Sequence, residues 1–393
     1  MKKILFTTTV GIESANSTGG QLLRIASSIK ALSKVCNLKV ISRNPRLKGE
    51  ENFIKIKNKI FYAPSVKVKL ENIRFLTSIL WRLKQYLYLK KDAEYIVKNY
   101  YKNKIDILWI SYASNSSDLI REIKKIDNKV KIVADTEAVF HIFLKRRLPF
   151  VNLFMKLFLY VNYLWYRKKE IEILNNSDLI TAVSEYDQKT FKKLNNTAKV
   201  EIFRNVVSSK SQKKKSKNRF NILLSGTFGS KTSPMNVSTR WFLSKIYPNF
   251  KNKLKNFKIY IIGINSDKEF SNLNEDNIIV KGWVKNLDKY FNTADLSIVP
   301  LKFESGTRFK ILEAGLHKIP VISTTLGAEG LNYKNKKNIF IEDDPKKFAD
   351  KIILLNKNKK LHSQHSREIY KMVKNNYSIK SAVKDIKKIL LKF

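Results

Sequence analysis

One cysteine, Cys36, stands in 393 residues, so no internal disulfide is available and a reducing compartment fits. Histidine is nearly as scarce, at four, and no Cys/His cluster has the spacing of a zinc site. Acids are few: 33 Asp+Glu face 77 Lys+Arg, for a formal charge of +44. A secretory leader is not expected either. "MKKILFTTTV" has the positive start, but its apolar part is short and carries three threonines, so it reads as a first buried strand. What is abundant is ordinary: 43% apolar residues exclude wholesale disorder, and the length suits two domains.

The charge excess has three readings: a compositional bias toward Lys, Asn and Ile, attraction to an anionic membrane surface, or nucleic-acid binding. Residues 1–200 hold 38 Lys+Arg against 17 Asp+Glu (+21), and 201–393 hold 39 against 16 (+23). So even a spread disfavours a dedicated nucleic-acid face.

Strand and helix patterns alternate along the chain, which implies parallel strands with crossover helices. "KILFTTTV", "LKVISR", "IDILWIS", "KIVADT", "DLITAVS" and "KVEIFRNVV" read as strands of a first α/β domain over 1–205. A basic linker follows at 206–219. The pattern restarts with "FNILLSGTF", "FKIYIIGI", "NIIVKGWV", "DLSIVPL" and "PVIST", giving a second domain over 220–375. Residues 376–393 read as a C-terminal helix free to return to the first domain. In open parallel sheets ligands bind beyond the carboxyl ends of the strands, so the expected site is a cleft between two doubly wound domains.

Two stretches of the first half stand apart. Residues 73–101 are helical, aromatic and lysine-rich; "LPFVNLFMKLFLYVNYLWY" (148–166) is nearly apolar and flanked by "KRR" and "RKK". The second approaches the length of a membrane span, but Lys156 near its middle is costly there. Core packing, interfacial contact with a membrane and a true span are the three readings. Docking on an anionic surface through both stretches is the expectation.

The chemistry concentrates in "SGTRFKILEA" (305–314). A glycine-containing loop with Gly306 and Thr307 opens a helix, whose free N–H groups and dipole favour an anion. Arg308 and Lys310 sit at that positive end, where cations are disfavoured unless an anion joins them. Glu313, about a turn and a half on, can accept two hydrogen bonds from adjacent sugar hydroxyls. Together they suit a nucleoside diphosphate. Asp343 and Asp344 precede Pro345 and a helix and read as caps, not metal ligands.

"PLKFESGTRFKILEAGLHKIPVISTTLGAEGL" resembles the donor-binding signature of family 4 glycosyltransferases, in the branch with a G-T-R-x-K-I-L-E-A core. "ILLSGTFGSKTSPMNVSTRWFLSKIYP", "VKGWVKNLDKYFNTADLSIVPL" and "IFIEDDPKKFAD" follow that family's order; "NNSDLITAVSEYDQKTF" and "FRNVV" match more loosely. The resemblance implies an α/β, GT-B fold of two Rossmann-like domains. It also implies sugar transfer from a nucleotide-sugar to a glycan or glycolipid acceptor, with retention and without a metal or resident cofactor. By it, Glu313 contacts the donor ribose, while Arg308 and Lys310 neutralise the diphosphate. Gly226 and Thr227 meet the phosphates, Trp283 and Val284 flank the nucleobase, and Gly19 and Gly20 approach the reacting centre. Family members place a polar residue after the strand "KIVADT", which makes Asp135 and His141 catalytic candidates beside the readings of a helix cap and a buried helix residue. The broader family has a carboxylate where Ser305 stands, so no acid is assigned to the transferred sugar. The implied setting is cytoplasmic, on the inner face of the cell membrane, in surface polysaccharide or lipopolysaccharide synthesis. A nucleotide-sugar epimerase on the same scaffold and a basic nucleic-acid binder are the alternatives.

Overall fold

The computed structural model describes residues 1–8, 20–42, 89–208 and 219–393. Gly19, most of the basic linker (209–218) and the 73–88 part of the first aromatic stretch lie outside the described residues. The chain divides into two compact units. One comprises 1–140, 164–204 and 382–393; the other comprises 141–163 and 205–381.

The first unit is built on a six-stranded parallel sheet. Its strands are β1 (Lys3–Thr8), β2 (Asn37–Ser42), β3 (Ile107–Ser111), β4 (Ile132–Asp135), β5 (Leu179–Ala182) and β6 (Val200–Ile202). They lie in the order β2-β1-β3-β4-β5-β6, with Leu5 opposite both Lys39 and Leu108. Helices cover both faces of such a sheet, so its strands are continuous apolar runs; every residue of β3, β4 and β5 is buried. That is why "ILWIS" and "LITA" could be recognised without alternation.

The second unit repeats the plan with β7 (Phe220–Ser225), β8 (Phe257–Ile262), β9 (Ile278–Val280), β10 (Leu296–Val299), β11 (Val321–Ser323) and β12 (Phe340–Ile341). All pairs are parallel, in the order β12-β11-β10-β7-β8-β9. The winding reverses between β7 and β10, and their carboxyl ends open the crevice where such sheets bind ligands. In the first sheet the reversal falls between β1 and β3.

The last helix, Ile379–Leu390, buries Ile386 and Ile389 completely. Asp385 accepts a hydrogen bond from the Arg204 amide at 3.3 Å. Asp344 caps the helix Pro345–Lys357 through the Lys347 amide, as the Pro spacing indicates, whereas Asp343 holds the amide and hydroxyl of Thr325. Replacing Ile386 or Ile389 by Ala should lower stability by about 2–4 kcal/mol in urea unfolding, the cost of a large-to-small change in a full core.

Candidate functional site

The crevice at the β7/β10 reversal is where the sequence signals meet. β7 ends at Ser225 and the chain turns through Gly226 and Thr227. β10 leads through Leu301 to the loop 302–307, and the helix Phe309–Leu316 starts immediately after, with Arg308 at its cap. Gly306 has φ +75°, a left-handed turn that glycine adopts without strain. The Thr307 hydroxyl accepts a hydrogen bond from Asn205 at 2.5 Å.

Arg308 is buried, and its guanidinium turns back onto the loop. It donates to the Ser305 carbonyl at 2.8 Å, to Gly306, and to Leu326 at 3.3 Å. A fixed positive charge therefore sits under the 305–308 turn and holds its shape.

Lys310 points the other way. Its ammonium lies against Gly226 and touches the Met235 thioether at 2.8 Å, its one hydrogen-bond acceptor among the described residues. A Cβ on Gly226 would come within 2.9 Å of that nitrogen and 2.7 Å of the Met235 side chain. Burial lowers the lysine to about 8; Glu304 and Glu313 oppose the shift and Arg308 reinforces it. Three residues on, the Glu313 carboxylate is half-buried with no hydrogen-bond donor among the described residues. Burial, reinforced by Asp288, pushes it up to about 7, with Lys310 pulling it down. A cation and an acid thus share the first two turns of one helix, short of solvent and of partners.

Two braces were not legible as site residues. Asn236, fully buried, donates to the carbonyls of Gly229 and Ser230 and fixes the loop after β7. Arg146 grips both Glu329 carboxylate oxygens, at 2.6 and 2.8 Å, and also donates to the Glu304 carbonyl at 2.8 Å. The Asn in the P-x-N turn and the "GAEG" acid were the available signals; the pairing of Arg146 with Glu329, 183 residues apart, has none.

Behind the crevice, Gly263 packs so tightly that a Cβ would sit 1.6 Å from the Gly226 carbonyl oxygen, and its φ of +146° excludes most side chains. Trp283, after β9, is 58% exposed, while Val284 packs on the core.

In the first unit, Gly20 opens the helix Gly20–Leu32. Asp135 ends β4 and is wholly buried. It does not cap a helix: it accepts from Arg24 at 2.5 Å, Thr181 at 2.6 Å, Ser111 at 3.2 Å and Ser28 at 3.4 Å. Such a hub joins β3, β4, β5 and a crossover helix, which is a positioning role. Glu137 beside it is pushed up to about 8 by burial and so is mostly protonated at neutral pH. His141, which belongs to the second unit, is buried at the start of the helix Phe140–Arg147, near the Tyr163 ring.

Residues 220–358 match the family model described as Glycosyl transferases group 1. No curated protein matches the chain. Among solved structures it is similar to a sucrose-phosphate synthase from Thermosynechococcus elongatus, with a TM-score of 0.70 and 11% identity, covering 100% of this chain and 99% of that one. It is also similar to HepE from Anabaena in complex with UDP-glucose, with a TM-score of 0.59, 12% identity and full coverage of both chains. A third is the lipopolysaccharide outer core galactosyltransferase WaaB, with a TM-score of 0.59, 17% identity and full coverage of both.

Three outcomes test this geometry. Glu313 binds its proton more tightly when folded, so its contribution to stability is lost as pH rises from about 4.5 to about 7. Glu313→Gln should therefore match the parent near pH 5 and exceed it by about 1–2 kcal/mol near pH 8, read by thermal unfolding. Asp135→Ala strands the Arg24 charge in the core and should cost about 3–5 kcal/mol in urea unfolding. Gly226→Ala should displace Lys310 and weaken anion binding with a smaller loss of stability than Gly263→Ala, in paired calorimetry and thermal unfolding.

Proposed function

We propose that this chain, in which residues 220–358 match the family model described as Glycosyl transferases group 1 and whose two sheets follow the GT-B plan, moves a sugar from a nucleoside-diphosphate sugar to a glycan or glycolipid acceptor at the inner face of a cell membrane. The observation that carries the proposal is the half-buried pair of Lys310 and Glu313 beside Gly226. A diphosphate seated against Gly226 gives the ammonium the anion it lacks, and a ribose gives the carboxylate two hydroxyl donors. The free amides of the first turn of the helix Phe309–Leu316 and the fixed charge of Arg308 add positive potential at the same end.

The chemistry follows from where charge grows. As the bond from the sugar to the diphosphate breaks, negative charge accumulates on the leaving oxygens. Groups already oriented toward them stabilise the transition state more than the ground state. Gly226, without a Cβ, lets the Lys310 ammonium and the Met235 side chain lie against the backbone, and Asn236 holds the loop after β7. Transfer proceeds with retention and without a metal. The solved relatives support the substrate class: HepE was solved with UDP-glucose and WaaB is a lipopolysaccharide galactosyltransferase.

A thermal-shift series with nucleoside diphosphates tests the reading, since a ligand of the folded state raises the melting point with concentration. Lys310→Ala should weaken binding and transfer by about 2–4 kcal/mol, the worth of one strong electrostatic donor. Affinity should peak between about pH 7 and 8. Below that range Glu313 is protonated and accepts poorly, and above it Lys310 loses its charge. Unchanged binding in Lys310→Ala would overturn the assignment. Conversion of donor alone to an isomeric sugar would point to an epimerase instead.

A further inference from the structure

The helix Leu153–Asn176 carries its apolar side outward. Leu153, Phe154, Leu157, Phe158, Tyr160, Val161, Leu164 and Trp165 are all exposed, Leu153 and Phe154 at 83%. At about 100° per residue these eight fall within an arc of roughly 160°. Asn152, Lys156 and Asn162 lie on the opposite side, and so does Leu159, the one residue of 153–165 that is buried. An ordinary surface helix does the reverse, burying its apolar stripe and showing solvent its polar one. Scattered exposed hydrophobes need no explanation, but nine of the sixteen large ones among the described residues fall between 153 and 165.

Of the three sequence readings for this stretch, core packing does not hold, because the side chains are exposed. A span does not hold either: no helix among the described residues is long and apolar enough to cross a membrane. The charges around the patch indicate what meets it. Lys145, Arg167 and Lys168 are exposed close to it in sequence, and none has an ion-pair partner among the described residues. The whole chain carries +44. Tyr160 and Trp165 are amphipathic rings of the kind that settle at the headgroup level, and long lysine and arginine side chains reach past an apolar face to phosphates.

We propose that the outward face of residues 153–165 is a membrane-docking surface, laid in the plane of an anionic bilayer with its apolar side chains among the acyl chains and the flanking cations on the lipid phosphates. The inference rests on the proposed reaction at a membrane only for its purpose; the surface itself is argued from exposure and charge. It supplies that reaction with a way to meet a lipid-borne acceptor without a spanning segment.

Vesicle flotation of the full chain tests it, with phosphatidylcholine alone or mixed with phosphatidylglycerol, at low and high salt. The parent should float with the anionic vesicles at low salt and be partly released at high salt. Phe154→Asp combined with Phe158→Asp changes only exposed side chains and should leave the melting temperature unchanged. It should lower the partition coefficient about a hundredfold, the worth of two buried aromatic side chains. Arg167→Ala with Lys168→Ala should lower it less and flatten the salt dependence. The proposal is overturned if the parent fails to float, if the Asp variant floats like the parent, or if neutral vesicles bind as well as anionic ones. It is equally overturned if the Asp substitutions abolish a dimer seen by sedimentation while flotation is absent, which would make the face a contact with a second copy. The Asp variant should keep the melting-point rise with nucleoside diphosphate. Flotation without that rise in the parent would sink the donor reading and leave the docking surface standing.

Discussion

A lysine and a glutamate three residues apart, both half-buried and, among the described residues, neither given a hydrogen-bonding oxygen or donor, set the terms for the second unit. Burying a charge without a partner is unfavourable, and the protein answers by shifting both proton affinities toward neutrality rather than by joining the two groups in an ion pair. On the proposed reading, a ligand with phosphates at one end and hydroxyls at the other would give each group the partner it lacks among the described residues.

The surrounding architecture exists to keep those two side chains where they are. The reversal of strand order between β7 and β10 brings two loops together at one edge. Arg308 holds the first from beneath, Asn236 holds the second, and Arg146 with Glu329 clamps the approach to the 304–308 segment. The Gly226–Gly263 contact lets two backbones touch where any side chain would part them. In the first unit the buried Asp135–Arg24 hub does comparable work across three strands. A loss of activity on changing Asp135 therefore has a folding explanation before a chemical one.

Much of this was legible in the chain itself. Strands such as "ILWIS" and "FNILLS" announce a doubly covered parallel sheet by their unbroken apolarity, and "SGTRFKILEA" announces a glycine turn leading into a helix, which is what stands there. The direction of each side chain was not legible. Arg308 and Lys310 look equivalent in sequence, yet one turns under its loop and the other toward Gly226. Asp135 reads as a catalytic candidate or a cap, and the structure makes it a buried hub whose partners come from positions 24 to 181. Residues 153–165 read equally as core or surface, because periodicity says which side of a helix is apolar but not which side faces the protein.

The path of the chain between the two units carries a separate consequence. Residues 141–163 belong with the later unit and 382–393 with the earlier one, so the polypeptide passes from one to the other four times. Synthesis from the ribosome therefore cannot finish the units one after the other. The first unit awaits residues 382–393, and a chain cut short before them lacks Ile386 and Ile389, leaving that unit's core incomplete for chaperones or proteases to find.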